Sequence, residues 1–113
     1  AITPVNASST LRLTAVLHVG ASTAGLVGAG IFVDATAAAL DADGTRVEGA
    51  TDMQTLVIRH TVSAASTTAR TYRVRIGPDV GGPATAHLNG SGGGRYFGGV
   101  LSSSLEVEEI LPQ

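Results

Sequence analysis

Residues 11–19 read LRLTAVLHV, and this stretch has the clearest strand pattern in the first half of the chain. Its odd positions hold Leu, Leu, Ala, Leu and Val, whereas its even positions hold Arg, Thr, Val and His. An apolar-to-polar period of two places the two sets on opposite faces of a β-strand. We therefore predict a half-buried strand here.

Further strand patterns follow along the chain, separated by turn signals rich in Gly, Pro, Asp and Ser. They occupy residues 29–34, 53–62, 70–76, 84–89, 95–101 and 103–110. The run at 56–58 is apolar at every position, which is typical of a strand covered on both faces. In the stretch at 70–76, Tyr72, Val74 and Ile76 alternate with polar residues and are expected to point inward.

The segments between the strands carry turn chemistry. Glycines at 25, 28 and 30 predict a bend or bulge before the second strand. The alanine-rich residues 35–40 predict a helical turn, and DADG at 41–44 predicts a hairpin turn. No helical period is sustained, so we predict an all-β fold, an antiparallel β-sandwich or jelly roll with a small barrel as the alternative. Residues 1–113 are expected to form a single β-sandwich domain.

Composition limits the class of partner. Only 14% of the 113 residues are charged, against about 25% in typical domains. Either Ser, Thr and Gly solvate the surface, or copies of the chain bury part of it, and the sequence leaves both open. A net charge of −2 argues against nucleic acid, and the short apolar runs argue against membrane insertion. The start, AITP, predicts part of a longer chain and no signal peptide.

Motifs for catalysis and cofactors are weak. The chain has no cysteine, and its three histidines (His18, His60 and His87) lack the local spacing of a metal site. GLVGAG at 25–30 precedes a predicted strand, so it lacks the helix N-terminus that holds a pyrophosphate. No Gly-x-Ser-x-Gly nucleophile motif occurs. We predict no enzyme activity, no cofactor and no metal.

Two charged pairs lie on predicted strand faces. Arg73 and Arg75 share one face, and Glu106 and Glu108 share another. If these strands are neighbours in the fold or across a subunit boundary, the four side chains form a charge ladder. Alternatively, the arginines contact anionic sugars or phosphates.

Several motifs together resemble the C-terminal domain of bacteriophage tail-fibre, tailspike and related virion appendage proteins. The motifs are ITPxxASSxL at 2–11, LVIRH at 56–60, TYRVRIG at 71–77, LNGS at 88–91, RYFGGV at 95–100 and SLEVEEI at 104–110. They occur in order over nearly the whole chain. The resemblance implies a β-sandwich at the tip of a trimeric appendage, similar in shape to tumour-necrosis-factor-like or C1q-like jelly rolls.

The function that this resemblance implies is a virion structural one. We expect a homotrimeric tip that contacts other virion proteins and recognises a host-surface glycan or protein. The alternatives are a head-decoration or head-fibre domain with a structural role only, and a non-catalytic accessory domain of a glycan-degrading tailspike.

Site residues are assigned to exposed loops and to the C-terminal segment. Receptor contacts are expected in loops 41–50, 79–83 and 90–95. The candidate receptor residues are Asp43, Arg46, Asp79 and Arg95. The candidate trimer contacts are Tyr96, Phe97, Leu105 and Val107.

Overall fold

Two antiparallel sheets form the fold in a computed structural model that describes residues 1–78, 85–91, 94–95 and 97–113. The described strands are β1 (Thr10–Ala21), β2 (Gly25–Val33), β3 (Asp41–Val47), β4 (Gln54–Ser63), β5 (Tyr72–Pro78), β6 (Ala86–Leu88), β7 (Gly90–Ser91), β8 (Gly94–Arg95) and β9 (Ser104–Ile110). A 3₁₀ helix spans Phe97–Gly99. The prediction of an all-β class is confirmed. No helix in these described ranges is long and apolar enough to cross a membrane.

β1 is the central strand of the larger sheet. It pairs with β4 along one edge and, along the other, with β9 and then β6. Its odd residues from Leu11 to Val19 are buried, whereas Arg12 on the other face is exposed. The period of two therefore predicted both the strand and its buried face.

β2 is the central strand of the smaller sheet, between β3 and β5. Val27, Ala29 and Ile31 of β2 are buried, and they pack against the buried face of β1 in one core. From β5, Tyr72, Val74 and Ile76 pack on the same core, as their alternation predicted. The core is built from aliphatic side chains, so its stability depends on close packing of Leu, Ile, Val and Ala between the layers.

Three sequence predictions in the first half of the chain are wrong. DADG at 41–44 is the start of strand β3, because its backbone pairs with Gly28 to Ile31 of β2. Residues 35–40 form a turn and bends without helix, and this connection ends where Leu40 N donates to Ile31 O at 2.8 Å. The glycines at 25, 28 and 30 lie inside β2, not before it.

Two further strand predictions fail, the first because local pattern does not reveal what lies on the far face of a strand. Val57 in β4 is 45% exposed, so that strand is covered on one face only. The predicted strand at 95–101 is limited to Arg95 at the end of β8, and the 3₁₀ helix follows it. The final strand, β9, matches its prediction within one residue.

Candidate functional site

A shallow groove lies on the outer face of the three-stranded sheet. Its floor is a row of three glycines, because Gly28 of β2 pairs with Gly44 of β3 on one side and with Gly77 of β5 on the other. None of the three has a positive φ, so the backbone is ordinary strand and the missing side chain is what matters. A Cβ on Gly77 would meet no atom within 4 Å. The sheet therefore presents bare backbone across its whole width.

Side chains rise at the two ends of this floor. At one end the Arg75 guanidinium lies 4.8 Å from the centroid of the Phe32 ring, in a cation–π contact. A Cβ on Gly30 would lie 3.2 Å from Phe32 and 3.3 Å from Ala39, so that end is tightly packed. At the other end Leu26 is 51% exposed. The groove has a volume of about 510 Å³ and is mainly apolar, with Asp43 and Arg75 as its charged lining residues.

The predicted receptor residues divide around this groove. Asp43 is exposed in β3 and belongs to the groove lining. Arg46 lies opposite Leu26, beyond the glycine row, and its Nε donates to Glu48 Oε1 at 3.2 Å. Both residues lie in a strand, so the expectation that residues 41–50 form a loop is wrong for 41–47. Asp79 lies outside the described residues, and of Arg95 only the backbone, in β8, is described.

The predicted trimer-contact residues lie apart from the groove. Leu105 and Val107 in β9 are half-buried and pack against the core of their own chain. Phe97, in the 3₁₀ helix, is 74% exposed. Tyr96 lies outside the described residues. Leu105 and Val107 thus pack inward on their own chain, whereas Phe97 is exposed.

Hydrogen bonding concentrates on three carboxylates away from the groove. Ser9 Oγ donates to Glu109 Oε2 at 2.6 Å, and the Val5 and Asn6 amides also donate to this carboxylate, so the pKa of Glu109 lies below its usual range. The Thr71 amide at 2.9 Å and the Arg70 guanidinium at 3.0 Å lower the pKa of Asp34.

Asp52 is the third such carboxylate. It accepts from the Glu48 amide at 2.8 Å and from the Gln54 side chain, and these bonds lower its pKa. All three acids hold turns or chain ends in place, which is a structural role.

The histidines are dispersed. His18 contacts Thr55 Oγ1 at 3.2 Å, and His60 contacts Asp41 Oδ2 at 3.3 Å. Among the residues that the structure describes, no group of three or more His, Cys, Asp or Glu side chains could hold a metal ion.

Sequence reasoning missed the groove because it depends on strand register. Gly28, Gly44 and Gly77 are far apart in the chain, and only the two antiparallel pairings place them in one row. Phe32 and Arg75 were assigned to separate strands, and their contact was not foreseen. The available signal was glycine within otherwise regular strand patterns, which often marks a close approach of another backbone or a ligand.

Comparison with known proteins adds no family. No family model, no curated protein and no solved structure matches this chain.

Proposed function

We propose that this chain is a non-enzymatic binding module: the trimeric, jelly-roll tip of a bacteriophage tail fibre or spike, which attaches to a glycan or protein on the host surface. The motif series at 2–11, 56–60, 71–77, 88–91, 95–100 and 104–110 supports the virion location. The glycine-floored groove on the three-stranded sheet supports the binding role, and it is the single observation that carries the proposal.

The groove has the features of a shallow ligand site. Its floor of bare backbone lets a flat ligand approach the sheet closely, and backbone without side chains costs no side-chain entropy on binding. The Phe32 ring supplies an apolar surface at one end. The backbone carbonyl of Asp43, 3.7 Å from where a Cβ on Gly28 would lie, borders the floor as an acceptor, and Arg75 provides donors, so polar groups that fix a ligand's orientation are few. A sugar ring has an apolar face and a hydroxyl rim, so a glycan fits this arrangement better than an extended peptide.

A glycan array tests the binding role. The purified chain is applied to bacterial-surface polysaccharides and lipopolysaccharide oligosaccharides, together with Gly28→Val and Gly49→Val. A side chain at Gly28 fills the groove floor, whereas Gly49 lies outside the groove lining and a Cβ there meets nothing within 4 Å. We expect binding to at least one glycan, a loss of about tenfold or more in Gly28→Val, and no loss in Gly49→Val. The absence of any binder, with normal host adsorption by particles lacking the domain, overturns the receptor role.

A head-decoration or head-fibre domain with a structural role only is the second candidate. The half-buried Leu105 and Val107 on β9 favour it, because apolar side chains left partly in water suit an assembly contact. Imaging of the labelled chain on intact particles separates the two: label at the tail tip supports the first proposal, and label on the head supports the second.

A further inference from the structure

Within the described residues, the sandwich is closed along one side and only partly closed along the other. On the closed side β3 packs on β4, Val47 is fully buried, and Asp41 Oδ2 lies 3.3 Å from His60 Nδ1. On the other side β5 contacts β6 but lies apart from β9, and two grooves of about 380 Å³ and 280 Å³ lie there, the first lined also by Ala1 and Ile2. We call this gap the seam. β5 pairs only with β2, and β9 only with β1, in the described part of the chain.

Core-facing apolar side chains line the seam. They are Tyr72, Val74, Ile76, Leu88, Leu105 and Val107. All but Leu88 pack against the core, yet none of the six is fully buried, and Leu88 is 42% exposed. Apolar area left in water forgoes about 25 cal/mol for each Å². A free strand edge beside such side chains is a surface on which another strand can pair.

The two edges of the seam carry opposite charge. Arg73 of β5 lines the groove of about 280 Å³, and Glu106 lies between Leu105 and Val107 on β9. Within the described ranges neither Arg73 nor Glu106 forms a salt bridge. Both side chains are exposed, on strands of different sheets, so the ladder that the sequence suggested does not form inside one chain. Glu108 instead lies 3.4 Å from Arg12 on the neighbouring strand.

We propose that a second copy of this chain covers the seam, with the β5 edge of one copy along the β9 edge of the next and Arg73 facing Glu106 across the boundary. Each copy carries both halves of this contact: an arginine on the β5 edge, whose nearby acid Asp34 makes its salt bridge with Arg70, and a glutamate on the β9 edge that forms no salt bridge with a described residue. That self-complementarity favours a copy over an unrelated partner. The contact is head-to-tail, and repeated contacts form a ring when the rotation between copies closes. The inference takes that closure from the homotrimer of the proposed function, on which it rests.

Charge reversal tests the contact by its effect on mass in sedimentation equilibrium. The variants are Arg73→Glu, Glu106→Arg and the double variant with both changes. We expect each single reversal to weaken association about tenfold or more, and the double variant to regain most of it, because like charges across an interface repel strongly. Arg59→Glu is the matched control, since Arg59 is exposed on β4 at the closed side. Arg73→Gln and Glu106→Gln should weaken association less than the reversals do. They replace the reversals in the test if a reversed variant does not fold.

The outcomes separate the contact from the oligomer. A wild-type trimer that survives both single reversals overturns the contact and leaves the proposed trimer intact. A wild-type chain that stays at 11.3 kDa overturns both. Failure of the double variant to regain association overturns the pairing of Arg73 with Glu106.

Disulfide trapping gives an independent readout, because the chain has no cysteine of its own. Arg73→Cys together with Glu106→Cys is expected to form covalent multimers larger than a dimer on mild oxidation. Each single cysteine variant is its control and cannot extend beyond a dimer. If the paired variant stops at the dimer as well, the head-to-tail contact is wrong.

Discussion

The two edge strands of the smaller sheet differ in how completely they are covered. β3 lies against β4 and buries Val47 fully, whereas β5 faces the seam and leaves Val74 half-buried. Both valines contribute to the same core. One side of the sandwich is thus covered within a single chain, whereas on the other side the described residues leave apolar side chains of β5 partly exposed.

The N-terminal segment, residues 1–9, crosses one end of the seam. Ile2 exchanges two backbone hydrogen bonds of 2.8 Å with Arg70, just before β5. A few residues later the Glu109 carboxylate of β9 binds the Val5 amide at 3.0 Å and the Ser9 hydroxyl at 2.6 Å. This segment therefore links the strands that border the seam, and Glu109 fixes it.

The largest expected effect compares the same substitution at the two edges. Val47→Ala removes two methyl groups from a fully buried site and should lower the free energy of unfolding by about 2–3 kcal/mol. Val74→Ala should cost about 1 kcal/mol in dilute solution, where the seam is open to water. Urea unfolding monitored by circular dichroism measures both. Equal losses would contradict the difference between the edges.

Next in size is the loss of the bond that holds the N-terminal segment. Ser9→Ala leaves the Glu109 carboxylate without its shortest hydrogen bond, which should lower the free energy of unfolding by about 1–2 kcal/mol. Ser8→Ala is the control, because Ser8 is exposed and alanine keeps the backbone amide that donates to Asn6 Oδ1. Thermal unfolding compares them. Identical melting temperatures for the two variants would show that the segment does not stabilise the fold.

Two glycines on the outer face of the smaller sheet should respond differently to alanine. Gly30→Ala forces a shift of Phe32 or Ala39 and should cost about 1 kcal/mol, whereas Gly77→Ala on the open-side strand meets no atom within 4 Å. The second change should stay within about 0.5 kcal/mol of wild type. The midpoints of urea unfolding measure both changes. If Gly77→Ala lowers the free energy of unfolding by more than this, another part of the protein already covers the groove floor.

The smallest expected effect is the pH dependence of the same segment. The pKa of Glu109 in the folded chain lies below its ordinary value of 4.5, so the unfolded chain binds the proton more tightly. This contribution to stability is complete above that value and is lost as the pH falls through the lower, folded pKa. The melting temperature of wild type should therefore drop more steeply below about pH 4.5 than that of Glu109→Gln. If the melting temperatures of the two proteins fall in parallel with pH, Glu109 is not the cause of the acid destabilisation, and Asp34 and Asp52 remain as candidates.

Local pattern predicted the strands that have one clear buried face. β1 and β5 alternate cleanly, and each overlaps the stretch that the period of two predicted, with β5 beginning and ending two residues later than predicted. β3 was mistaken for a turn because Asp and Gly are the usual turn residues, and only its pairing with β2 keeps it extended. Tertiary pairing outweighed local preference there.

Neither the groove nor the seam could be predicted from spacing along the chain. The glycine row needs three strands in register, and the seam needs the knowledge that β5 and β9 belong to different sheets. The sequence did supply the charges of Arg73 and Glu106. It left open whether they meet within one chain or across a subunit boundary, or whether the arginines contact anionic sugars or phosphates. The structure speaks only against the first of these, because Arg73 and Glu106 form no salt bridge within the described residues.

Hydrogen exchange at two protein concentrations tests the difference between the two sides most directly. Exchange of backbone amides is followed by mass spectrometry in dilute solution and at a concentration where copies associate. We expect slower exchange at the higher concentration in β5 and β9, and unchanged exchange in β3 and β4. Two results would contradict the account of an open side covered by a second copy. One is exchange that does not change with concentration in any of the four strands, and the other is exchange that slows in β3 and β4 instead.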